Sequence, residues 1–260
     1  MCLIAFEWRP GSALPLLLWA NRDEFYQRPT EALKRWDNGI WAGRDRQAGG
    51  TWLGLSENGG FAALTNVREP GAPAGPRSRG ELITDFLLSE TSPESFLRSW
   101  SPEHYSGVNL LLGRGDQLFF GSNRGSQMQR LSPGRYGLSN ATLNTPWPKV
   151  SRLKSLFHPE WDNERALQAL RDDHQPDDTA LPDTGIGLEW ERRLGRVFIQ
   201  SPGYGTRSSS VLHLFDDGRF DWTEQGYGPQ GPLTQTRLTG QLQHPIGQDP
   251  VAHLHQLAQE

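Results

Sequence analysis

Cys2 is the only cysteine in 260 residues, which excludes an intramolecular disulfide and a thiolate metal cage. A lone cysteine usually packs as a small buried hydrophobe. Position 2 adds a second use, because removal of Met1 would leave this thiol beside its own α-amine. An α-amine titrates at ~7.7–8.0 and a thiol at ~8.5, close enough for the amine to take the thiol proton during nucleophilic attack without a histidine. Asn21-Arg22-Asp23-Glu24 forms a polar run directly after an apolar one. A guanidinium beside Cys2 would favour its thiolate and a carboxylate could orient the amine; a solvated run of charges at a strand end is the plainer use of the same residues.

Other chemistry is sparsely represented. Of the seven histidines, His253 and His255 lie near the end of the chain, His213 falls in a strand pattern, and no pair has helical metal spacing. No metal site is expected. The sequence has no phosphate-binding loop and no Gly-x-Ser-x-Gly elbow. Haem needs only one axial residue, so haem as a bound ligand stays open. With 30 acidic and 26 basic residues the net charge is −4, which recruits neither nucleic acid nor an anionic bilayer. No apolar run reaches the ~18 residues of a transmembrane segment. Leu14 to Ala20 resembles a short signal core, but acidic Glu7 precedes it and charged residues follow at once. A cytoplasmic protein is expected.

The elements that must position Cys2 are short strands. Cys2 to Trp8 and Leu14 to Ala20 flank Pro10-Gly11-Ser12, the pattern of a buried hairpin. A turn centred on Gly11 and Ser12 sets Cys2 opposite Asn21, within diagonal reach of Arg22 and Asp23. Asn58-Gly59 predicts a two-residue type I′ turn between Thr51–Leu55 and Phe61–Asn66. Gly115-Asp116 and Asp217-Gly218 predict two further hairpins. Leu82, Ile83, Phe86 and Leu87 make a helical stripe, followed by a short helix carrying Phe96, Leu97 and Trp100. Val150, Leu153, Leu156 and Phe157 make another, followed by Ala166, Leu167 and Leu170. Hairpins interrupted by paired helices predict an α+β layered domain, not a parallel sheet. Residues 1–260 are expected to form a single domain, with a Gln- and Pro-rich tail over 228–260 ending in a helix. Of the ten tryptophans, Trp8, Trp19, Trp41 and Trp52 lie on strands that converge on Cys2. Core packing is their commoner use, but Trp19 and Trp52 are also candidates to stack on a flat ligand or an acyl chain.

The sequence resembles the NRDE family, also called the transport and Golgi organisation protein 2 family. The resemblance rests on Met1-Cys2, Asn21-Arg22-Asp23-Glu24-Phe25, Arg28-Pro29, Ala42-Gly43-Arg44-Asp45, Gly49-Gly50-Thr51-Trp52-Leu53-Gly54, Ala63-Leu64-Thr65-Asn66, Ser78-Arg79-Gly80, Leu138-Ser139-Asn140 and Thr145-Pro146-Trp147-Pro148-Lys149, in order over most of the chain. That family is similar in architecture to N-terminal-nucleophile hydrolases, which implies a four-layer αββα sandwich of two antiparallel sheets flanked by helices. Within that group it looks closest to the choloylglycine hydrolases and penicillin V acylases. The likeness implies Cys2 as nucleophile, Arg22 and Asp23 beside it, Asn66 and Asn140 as oxyanion and amine binders, and Arg207 as a late arginine. Asn21 and Glu24 then become candidate substrate contacts. Those amidases space their Arg and Asp three apart, whereas Arg22 and Asp23 are adjacent and on a strand would face opposite ways.

The resemblance implies a cysteine amidohydrolase or acyl-transfer enzyme for a small amide or thioester, with no cofactor required. Family members are also linked to haem trafficking and to lipid or acyl-CoA homeostasis. The rival expectation is therefore a carrier that holds haem or a lipid in the same pocket without turnover.

Overall fold

The computed structural model describes residues 2–125 and 127–248. In chain order the elements are β1 (Cys2–Trp8), β2 (Leu16–Phe25), β3 (Thr30–Arg35), β4 (Ile40–Asp45), β5 (Leu53–Ser56), β6 (Phe61–Asn66), α1 (Arg79–Leu88), α2 (Pro93–Ser99), β7 (Val108–Arg114), β8 (Gln117–Ser122), β9 (Gln127–Arg130) and β10 (Gly134–Leu138). There follow α3 (Pro148–Leu156), α4 (Asn163–Leu170), α5 (Leu188–Leu194), β11 (Gln200–Ser201), β12 (Tyr204–Leu214), β13 (Arg219–Gly228) and β14 (Gly231–Gln241).

Two antiparallel sheets face each other. The first runs β10-β1-β2-β12-β13-β14, with β11 added to β12, and the second is a meander from β3 to β9. Helices α3 and α4 cover the outside of the first sheet, and α1 and α2 that of the second. The layers are therefore α, β, β, α, as the family resemblance implies.

Along β1, alternate residues Cys2, Ile4, Phe6 and Trp8 enter the core between the sheets, whereas Leu3 and Ala5 pack under the helices. Both faces of the strand are thus covered. This explains why CLIAFEW is almost continuously apolar and lacks the alternation of a half-exposed strand. α3 seats closely on β10 because Gly137 has no side chain. A Cβ there would lie 2.6 Å from Val150 Cγ1.

Three expectations are corrected. Cys2 pairs with Arg22, not Asn21, because the loop from β1 to β2 is one residue longer in register than a turn centred on Gly11 and Ser12 allows. At Asn58-Gly59 the loop holds three residues, since Ser56 pairs its N–H with the Gly60 carbonyl, and only Gly59 takes positive φ, at 82°. A type I′ turn needs positive φ at two positions. The segment read as a tail begins with β14, an outer strand whose polar, mostly exposed sequence carries little apolar signal. The terminal helix expected beyond it lies outside the described residues. α5, a short helix rich in charged residues, is announced by no apolar stripe in the sequence.

Candidate active site

At one end of the two sheets, Cys2 opens onto a cavity of about 660 Å³. The wall carries Arg22 and Glu24 of β2, Asp45 of β4, Leu64 and Asn66 of β6, and Glu224 of β13, and residues 74–80, the loop into α1 with its first turn, line one side. Cys2 itself is 5% exposed. Burial pushes its thiol up to about 11, with Asp23 and Glu24 acting in the same direction and Arg22 against them. The resting thiol is therefore neutral at neutral pH.

β2 answers the adjacency of Arg22 and Asp23. The strand has not ended there, so the two side chains do face opposite ways. Arg22, the cross-strand partner of Cys2, points between the sheets. Its Nη1 donates to Thr30 Oγ1 at 3.4 Å and its Nη2 lies 3.9 Å from Asp45 Oδ2. Asp45 also accepts from Arg28 Nε at 2.7 Å, so the Arg28-Pro29 and Ala42–Asp45 motifs together hold the Arg22 guanidinium. Asp23 lies one residue past the Cys2–Arg22 pair, on the side of the Cys2 α-nitrogen along the strand pair, and is part of the cavity lining. Its Oδ1 accepts from Thr206 Oγ1 at 2.8 Å, where β12 shifts register between Thr206 and Ser208. Burial raises its pKa and the charge of Lys149 opposes the rise.

Glu24 and Trp52 line the cavity. Glu24 Oε1 accepts from the Phe25 N–H at 2.9 Å. Asn21 and Trp19, expected beside them, do not. The odd-numbered positions Leu17, Trp19 and Asn21 of β2 face the helices. Asn21 donates from Nδ2 to the carbonyls of Leu170 and Val197 at 2.8 and 2.9 Å and accepts from Ser209 at 2.6 Å. Trp19 packs on Phe157, 4.7 Å between ring centres. Trp41 packs on Phe220 in the core, 5.0 Å between centres.

Asn66 ends β6 on the cavity wall. Asn140 sits behind it, 1% exposed and outside the lining, and donates from Nδ2 to the Asn66 carbonyl at 2.9 Å. Its Oδ1 accepts from Lys149 Nζ at 3.2 Å. An amide with both ends so engaged braces the wall. Arg207 lines the cavity, yet its guanidinium donates to the carbonyls of Phe25, Arg28 and Tyr227. These bonds clamp the strand end after the polar run.

Several residues of this corner escaped the sequence reading. Ser139 Oγ reaches the Cys2 carbonyl at 3.0 Å, Lys149 is 2% exposed, Glu224 is 5% exposed, and Arg79 lines the cavity. Lys149 and Ser139 stand within quoted motifs, but nothing in their spacing separates a buried lysine or serine from a surface one. Among the described residues no cluster of three His, Cys, Asp or Glu could hold a metal, and no helix is long and apolar enough to cross a membrane.

Residues 1–229 match the Transport and Golgi organisation 2 family. The Transport and Golgi organization protein 2 homologs of Bos taurus and Homo sapiens are 38% and 37% identical, each alignment covering 86% of this chain and 92% of the relative. The Drosophila melanogaster Transport and Golgi organization protein 2 is 27% identical over 95% of this chain and its own full length. Among solved structures, a Caenorhabditis elegans ortholog of N-acylethanolamine-hydrolyzing acid amidase aligns over 81% of this chain and 92% of its own, at 12% identity and TM-score 0.47. A mutant conjugated bile acid hydrolase from Clostridium perfringens aligns over 91% and 92%, at 10% identity and TM-score 0.47. The match over residues 1–229 and the identity to the mammalian relatives establish that the chain belongs to the Transport and Golgi organisation 2 family.

Proposed function

We propose that the protein, after loss of Met1, is a cysteine amidohydrolase or acyl transferase for a small amide or thioester. The observation that carries this reading is the placement of Cys2 on the cavity wall, with Arg22 across the strand pair and Asp23 past its α-nitrogen. In the first half-reaction Cys2 Sγ bonds to the substrate carbonyl carbon and the thiol proton passes to the α-amine. Asn66 and a backbone N–H hold the oxyanion. Collapse breaks the C–N or C–S bond, the leaving group departs with the proton from the amine, and an acyl thioester remains on Cys2. Water, or an acceptor amine, then attacks that thioester, gives a proton to the α-amine, and frees the thiolate to take it back. Asp23 supports the ammonium form of the amine between these steps.

A screen of acyl substrates comparing wild type with Cys2→Ser and Cys2→Ala tests this. Turnover is expected in wild type and lost in Cys2→Ala; equal turnover in all three makes Cys2 structural. Asn66→Ala is expected to lower kcat by about 10²–10³-fold, the usual loss for one oxyanion donor.

A second reading, a carrier that holds a lipid or acyl ligand without turnover, is favoured by one observation. Asn140 and Arg207 both hydrogen-bond to the protein itself, although Arg207 also lines the cavity. Haem fits this cavity poorly. Its described lining includes no histidine, and the thiol of Cys2, pushed up to about 11, would have to ionise before it could ligate iron. Titration with haem is accordingly expected to give no Soret shift, and a saturable shift lost in Cys2→Ala would overturn that expectation.

A further inference from the structure

We propose that Lys149 is a positioning residue of this site, a buried ammonium that fixes the Asn140 amide, and through it the Asn66 main chain, and whose charge acts on the Asp23 carboxyl. The inference deepens the reading of Cys2 as nucleophile and rests on it.

Lys149 occupies the first turn of α3, where the helix dipole disfavours a cation. It is also 2% exposed, where burying a charge is costly unless something compensates. Neither helix formation nor core packing accounts for an ammonium there. The hydrogen bonds do. Lys149 Nζ donates to Asn140 Oδ1 at 3.2 Å, which fixes the oxygen end of that amide toward the helix. The Nδ2 end must then face the Asn66 carbonyl, to which it donates at 2.9 Å. Ser139 Oγ lies 3.1 Å from the same Oδ1 and 3.0 Å from the Cys2 carbonyl, so the two ends of the proposed machinery share one braced amide. Without the ammonium, an amide flip would set Oδ1 against the Asn66 carbonyl and open the corner.

Charged and titratable groups reach Lys149 from four directions. They are Asp23 of β2, Cys2 of β1, Arg68 after β6 and Glu191 of α5. Burial pushes the ammonium down to about 8, and Asp23 is the strongest of the groups that pull it back. Lys149 in turn heads the influences that hold the buried Asp23 carboxyl down.

Two readouts test the proposal on the full chain. One is the pH titration of the Asp23 carboxyl, followed by NMR in protein carrying ¹³C-labelled aspartate. The other is the rate at which p-nitrophenyl acetate acetylates Cys2, followed by nitrophenolate release and intact mass. In Lys149→Met, Asp23 is expected to titrate at higher pH than in wild type and acetylation to slow about 10²-fold, the scale of a misplaced reacting group. Lys149→Arg keeps the charge and is expected to restore the Asp23 titration toward wild type. An Asp23 titration unmoved in Lys149→Met, or acetylation at the wild-type rate, overturns the proposal. Should Lys149→Met fail to fold, Asp23→Asn/Lys149→Met leaves no charge of this pair unmatched and is compared with Asp23→Asn alone; slower acetylation in the double than in the single variant supports the role, and equal rates refute it. Absence of a Cys2 adduct in wild type would instead sink the nucleophile reading, and the Asp23 titration would still decide whether Lys149 positions that carboxylate.

Discussion

A thiol covered on nearly every side, with one arginine across the strand pair, gives up its proton reluctantly. Burial pushes Cys2 up to about 11, and Arg22 offsets only part of that. The group is therefore a poor resting thiolate and depends on a base that accepts the proton during attack, the part assigned to its α-amine. Alkylation of Cys2 by iodoacetamide is expected to be slow at neutral pH and to keep rising toward about pH 11 in protein that retains Met1. A plateau near the ordinary thiol range would contradict this. The same shift has a signed effect on stability. Because the folded thiol stays protonated above its ordinary value of 9.0, its contribution is present below that pH and is lost as pH rises toward about 11. Lys149 acts oppositely, since its folded value near 8 lies below the ordinary 10.5 and stability grows through that interval. Unfolding of Cys2→Ala between pH 9 and 11 is thus expected to show a shallower loss of stability than wild type, and an identical slope would count against the buried thiol.

β2 is the element on which the site turns, because it serves two layers at once. Its even positions Leu18, Ala20 and Arg22 face the second sheet and the cavity, and its odd positions Leu17, Trp19 and Asn21 face the helices. Asn21 therefore belongs to the helix anchorage. Asn21→Ala leaves two carbonyls and the Ser209 hydroxyl without this partner and is expected to cost about 2–3 kcal/mol in denaturant unfolding. A change under about 0.5 kcal/mol would contradict that role. The hairpins and α1 to α4 were legible in the sequence because their apolar stripes and Gly-containing turns act locally. Which member of the polar run faces Cys2 was not, since a one-residue difference in loop register exchanges the two faces of a strand. The inward turn of Asn140 and Arg207 was hidden for another reason. Their partners lie far away in the chain, at Asn66 and Lys149 for one and at Phe25, Arg28 and Tyr227 for the other.

At the scale of the molecule, the core between the sheets is made by both ends of the described chain. Phe6 and Trp8 of β1 meet Phe220 and Trp222 of β13 and Leu242 in one buried cluster with β4 to β8. Phe6→Ala is expected to cost about 3–5 kcal/mol and to shift the unfolding curves from near- and far-ultraviolet circular dichroism together. Separate shifts would mean that the two sheets melt independently. The same convergence forms the cavity, whose walls come from strands of both sheets and whose proposed nucleophile, Cys2, is the second residue of the chain. The account therefore depends most on the chemical state of that end. Intact-mass measurement of protein from its native host, before and after p-nitrophenyl acetate and with fragmentation to locate the adduct, tests it directly. The expected result is a chain lacking Met1 that gains one acetyl group on Cys2; a chain that retains Met1 and forms no Cys2 adduct would contradict the account.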